Sequence, residues 1–162
     1  MMKAVYKVLA YAMAVEVVVQ ATAIAVAMFG LTKWIDGGGV LDKAEMESHG
    51  SSYPEVIGFA IHGINGQMLV PLIALLLLVS SFFAKVPGAV KWAGVVLALV
   101  VVQILLGVFG HAVTALGALH GLNALLLFSA AVVAARLARK VTTEPAASRA
   151  AGPAAADVAA TA

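Results

Sequence analysis

Apolar residues fall into four long runs along the chain, about Ala4 to Gly30, Glu55 to Ala84, Ala89 to Gly110 and Thr114 to Ala138, with polar residues gathered between them. Each run is long enough to cross roughly 30 Å of hydrocarbon at about 1.5 Å of rise per residue. The pattern therefore predicts an all-α protein, a transmembrane four-helix bundle occupying residues 1–140. Lys3 and Lys7 precede the first run as they would in a signal peptide, but the run is far longer than an h-region and contains Glu16, so it reads as a retained helix. The stretch 31–54 carries Gly37, Gly38 and Gly39 and then a Ser/Gly cluster from Ser48 to Ser52, which predicts a flexible or partly helical outer loop. Residues 141–162 are Ala-rich with Pro145 and Pro153, the composition of a disordered tail with no function of its own.

Charge orients the bundle. Lys3, Lys7, Lys85, Lys91, Arg136, Arg139 and Lys140 all fall at one set of helix ends, whereas the 31–54 loop sets Asp36, Asp42, Glu45 and Glu47 against Lys33 and Lys43. By the positive-inside rule both termini are cytoplasmic and the loop lies outside, in a multi-pass protein of the cell (plasma) membrane. Composition agrees: 63% of the 162 residues are hydrophobic and 11% charged, more apolar surface than a soluble domain of this size can hide, so lipid must cover the remainder. Basic residues form no stripe, which excludes nucleic acid as a partner. With no cysteine, disulfides, thiolate metal sites and covalent c-type heme attachment are excluded, and His, Glu, Asn and Gln must carry any chemistry.

An internal repeat singles out the chemical residues. Ala60-Ile61-His62-Gly63-Ile64-Asn65 in the second run matches Ala118-Leu119-His120-Gly121-Leu122-Asn123 in the fourth, both reading A-x-H-G-x-N. Val17-Val18-Val19-Gln20 before Phe29-Gly30 echoes Val101-Val102-Gln103 before Phe109-Gly110, more weakly because the spacings differ. The two matches predict a duplicated helical hairpin whose halves are related by a pseudo-twofold along the membrane normal. His62 and His120 then sit at equal depth, roughly 9–10 Å below the outer boundary, and face each other across the axis. Imidazole is a good axial ligand for heme iron, and bundle interiors grip such cofactors from facing helices. The expected occupant is one heme b per chain with His62 and His120 on the iron.

Neighbouring residues fit a large flat ligand. Gly63, Gly121 and Gly107, with Gly58, Gly66, Gly110 and Gly117 at similar depth, make room either for a porphyrin or for close helix packing. Asn65 and Asn123 can bond helix backbone, a ligand edge or each other. His111, at the outer end of the third run, is a propionate contact, a spare ligand or an ordinary interfacial residue, and His49 in the loop is expected to be solvated. Glu16, near the middle of the first run with Gln20 one turn further out, is costly in a membrane and therefore a functional candidate, expected to be neutral and hydrogen-bonded. Pro71 should bend the second helix just below the site.

From Gln103-Ile104-Leu105-Leu106-Gly107 through Ala118-Leu119-His120 the chain resembles half of the heme A synthase family, with its Q-x-x-L-G and following A-L-H. That resemblance implies His62 and His120 as a heme-facing pair and Gln103 and Gly107 beside them. The chain has half the family's usual length. The acidic residue the family carries close before the second-helix His is also absent, since Gly58 and Phe59 stand there and Glu55 is distant. The expected role is thus a bis-His cytochrome-like protein for electron transfer or heme handling, with lipid, a quinol, a redox partner protein or a second copy as partners. The alternatives are a half-length heme A synthase-like oxidase acting as a dimer, and a non-catalytic accessory or assembly subunit.

Overall fold

In a computed structural model, residues 1–47 and 52–140 are described. The loop residues 48–51, which include His49, and the tail 141–162 lie outside them. The described residues are helical with no strand: α1 Met2–Asp36, α2 Lys43–Glu47, a 3-10 turn Pro54–Val56, α3 Ile57–Gln67, α4 Leu69–Phe83, α5 Ala89–Gly110 and α6 Thr114–Lys140. The 3-10 turn, α3 and α4 form one rod, so the chain presents four helical rods long and apolar enough to cross a membrane.

The rods form a ring. α1 packs on α4 and α6, and α5 packs on the same two helices, which leaves the α3/α4 rod diagonal to α6. Tyr6 reaches across the other diagonal, its hydroxyl donating to the Ala89 carbonyl at 3.3 Å.

Small residues close this ring at its basic end. Ala10 and Ala14 of α1, Ala74 of α4, Ala89 and Ala93 of α5, and Ala130, Ala131, Ala134, Ala135 and Ala138 of α6 are buried around Tyr6, Met13, Leu77, Val96 and Val100. Side chains this short let backbones approach closely, which is how helices associate where lipid removes the hydrophobic drive. The core stops at the level of Gln20, Asn65, Gln103 and Asn123. Beyond it, toward the loop, only Ala27, Gly30, Tyr53 and Gly58 are buried among the described residues.

Three element ends differ from the sequence expectation. α1 runs six residues past Gly30, to Asp36, because chain reversal waits for a glycine able to adopt positive φ, which Gly38 does at +97°. The loop then folds back, Gly39 lying against the Trp34 ring, which stacks on Tyr53 at 5.7 Å. The second rod is two helices, interrupted at Met68 (φ −115°, ψ −59°). Pro71 has no N–H to donate to the Gln67 carbonyl, which accounts for the interruption. α6 continues to Lys140, two residues beyond Ala138.

Candidate functional site: a paired-imidazole layer

α3 lies along α1 as an antiparallel zipper of small and polar residues. Going inward from the loop, Glu55 rests on Gly30, Gly58 on Ala23 and Ala27, His62 on Gln20, and Asn65 on Glu16. A methyl group at Gly58 would run into the Ala23 carbonyl oxygen, so only glycine permits this approach. α5 and α6 make a parallel set of contacts, with Gly110 beside Gly117, Gly107 beside His120, and Gln103 beside His120 and Asn123.

These zippers bring the two histidines together. The ring centres of His62 and His120 are 6.0 Å apart, with the ring planes inclined at 60°. His62 Nδ1 lies 3.2 Å from the Gln20 carbonyl oxygen, and His120 Nδ1 lies 3.0 Å from that of Gln103. A carbonyl only accepts, so each Nδ1 carries its ring's proton and each Nε2 keeps a free lone pair. The two anchoring carbonyls belong to α1 and α5, which are diagonal in the ring of rods. Both imidazoles are therefore tethered outward on opposite sides.

The supporting residues differ between the halves. Gln103 Nε2 donates to the His120 carbonyl at 3.0 Å, and its Oε1 accepts from Asn123 Nδ2 at 2.6 Å; the same Nδ2 lies 2.9 Å from the Leu99 carbonyl. In the other half, Asn65 Nδ2 donates to Glu16 Oε2 at 3.2 Å, and both polar atoms of the buried Gln20 amide have no partner. Glu16 is thus hydrogen-bonded, as expected.

Comparison with protein-family models, with curated proteins and with solved structures returns no match.

The layer itself defines what it can hold. Metal–imidazole bonds of about 2.0–2.1 Å, plus the breadth of each ring, put two imidazoles on opposite sides of one metal ion roughly 6 Å apart centre to centre. Ligating histidines characteristically give their other ring N–H to a carbonyl or carboxylate, as both do here. Among the described residues no cluster of three His, Cys, Asp or Glu exists, so a bare ion would have only two protein ligands. A porphyrin brings four in-plane nitrogens and asks the protein for only two axial ones. A Cβ on Gly63, Gly117 or Gly121 would touch nothing within 4 Å, and the alanine-packed core lies on the other side of the layer.

The remaining sequence candidates are placed as follows. Gly107 is needed by the His120 ring, whose Cε1 would be 3.2 Å from an added Cβ. His111 caps α5, exposed at the turn into α6 and apart from the layer's hydrogen bonds. A separate apolar cleft of about 780 Å³ runs along α1 from Val17 to Lys33, bounded by Leu125, Phe128 and Glu55. Neither imidazole lines it. Sequence reasoning passed over the backbone carbonyls of Gln20 and Gln103 as imidazole acceptors. The shared V-V-x-Q echo was the available signal.

Proposed function

We propose that this chain is a multi-pass protein of the plasma membrane that binds one heme b between His62 and His120, for electron transfer or heme handling. One observation carries the reading: two imidazoles 6.0 Å apart, each with Nδ1–H given to a glutamine carbonyl and Nε2 free. Heme supplies a one-electron iron couple when bound. The protein's part is to fix both tautomers and orientations, and the Nδ1–H bonds raise the basicity of both Nε2 atoms. The absence of side chains at Gly63, Gly117 and Gly121, where a Cβ would meet nothing within 4 Å, supports the reading, and the packed core on one side would keep water away.

Matched contacts favour a duplicated hairpin. His62 to Gln20 and His120 to Gln103 share residue offsets of 58 and 83, and the same offsets relate Asn65 at Glu16 to Asn123 at Leu99. The distribution of Lys and Arg favours cytoplasmic termini, which sets the layer in the outer half. No second histidine pair stands in the basic half, so one chain does not carry electrons across the whole membrane. Electrons are exchanged at the outer end, with a quinol or a partner protein. The resemblance to heme A synthase belongs to this reading as shared architecture. Glu55, seated on Gly30 of α1, gives no carboxylate next to the imidazoles, so oxidation of a heme methyl is not proposed.

The test is a reduced-minus-oxidised visible spectrum of the purified chain. Narrow α and β bands, lost in both His62→Ala and His120→Ala when reconstituted at equal heme, support the assignment. A heme-supplemented wild type without a Soret band rejects it in favour of histidines that only join helices.

A further inference from the structure

The two imidazoles are not held alike, and the difference begins in the elements that carry them. His120 stands on α6, a continuous helix of 27 residues. Its ring is bonded to Gln103 at 3.0 Å, its backbone carbonyl is held by the Gln103 amide, and Asn123 one turn on is held by both Leu99 and Gln103. His62 stands on α3, 11 residues long and ended by the interruption at Met68. Among the described residues α3 packs along α1, the 3-10 turn and α4, with no extended packing on α5 or α6.

The local bonds show the same inequality. Each ring has one bond, that of His62 being the longer at 3.2 Å. Gln20, placed as Gln103 is in the other half, holds neither the His62 backbone nor Asn65. Its amide lies against Gly66, one turn beyond His62, buried and unpartnered, because Asn65 has turned to Glu16. One imidazole thus stands on an uninterrupted helix with its supporting amides bonded, while the other stands on a segment interrupted at Met68, where Pro71 removes one helical hydrogen bond, and has an unpartnered amide beneath it.

Resting on the heme reading above, we propose that His62 is the releasable axial ligand and His120 the fixed one, so that the reduced protein takes up a neutral diatomic ligand, of the class of CO, NO and O2, on the His62 side. The exchange is balanced without redox change. The His62 Nε2–iron bond breaks, Nε2 keeps its electron pair, and the incoming molecule donates a pair in its place. The movement is a tilt of α3 about Met68, away from α6.

The experiment uses the full-length chain in lipid nanodiscs, reduced and then mixed with CO, with heme content and coordination read spectroscopically. Wild type is expected to convert from a bis-His to a CO spectrum. His62→Ala is expected to keep its heme and to bind CO at least about tenfold faster, equivalent to about 1.4 kcal/mol off the barrier, because no ligand has to leave first, while His120→Ala loses the heme. Pro71→Ala, outside the layer, restores the N–H that the Gln67 carbonyl lacks and is expected to slow CO uptake in a protein that still shows the bis-His spectrum. A bis-His spectrum unchanged by saturating CO overturns the proposal, as do heme retention in His120→Ala with loss in His62→Ala, or equal CO rates in wild type and Pro71→Ala. A wild type with no heme spectrum removes the underlying heme assignment instead.

Discussion

Gln103 uses every polar atom it has on the His120 half: its carbonyl accepts from the ring, its Nε2 donates to the His120 carbonyl, and its Oε1 accepts from Asn123. Gln103→Leu removes both side-chain bonds. At about 0.5–1.5 kcal/mol net for each, the expected loss is about 1–3 kcal/mol, measured as a lower unfolding midpoint in detergent, together with weaker heme retention. Gly107→Ala acts on one ring alone: the added methyl meets His120 Cε1 at 3.2 Å, so heme content should fall while helical content by circular dichroism stays. Glu16 divides along similar lines. Glu16→Gln keeps an acceptor for Asn65 and should be nearly silent, whereas Glu16→Leu strands the Asn65 amide and should cost about 1–3 kcal/mol in the same unfolding assay. The A-x-H-G-x-N repeat made both histidines and both asparagines legible in the sequence. The partners were not legible, because a backbone carbonyl has no residue signature and because Asn65 bonds Glu16 where its counterpart Asn123 bonds Gln103, a difference the shared motif does not carry.

Among the elements, the second rod was predicted well in extent, and the interruption at Met68 lies within one turn of Pro71, because proline acts through its own missing N–H wherever it falls. The end of α1 was misplaced, since hydropathy marks where lipid stops and says nothing of where helical hydrogen bonding stops. Leu31 to Asp36 continue the helix, with Lys33 in the last turn complementing its dipole, until the glycines permit reversal. The seat of α3 on α1 depends on Gly58, and Gly58→Val should part these helices at the level of His62. Overpacking of this kind costs about 1–3 kcal/mol. The same variant should also accelerate amide hydrogen exchange in Ile57–Gln67 while leaving α6 protected.

For the molecule as a whole, the core below the layer is complete without any ligand, so the heme-free chain should remain helical and cooperative. Heme binding the folded state alone should stabilise it by about 2.7 kcal/mol at a hundredfold excess over its dissociation constant. The expected upward shift of the thermal midpoint should vanish in His120→Ala. Such a molecule behaves like a pair of tweezers, fused where the alanines interlock and Tyr6 bonds Ala89, and free to spread at the tips. Were a heme bound between the imidazoles, it could enter from the loop end without the alanine-packed end ever opening. Assembly would need no coordination between translation and cofactor supply.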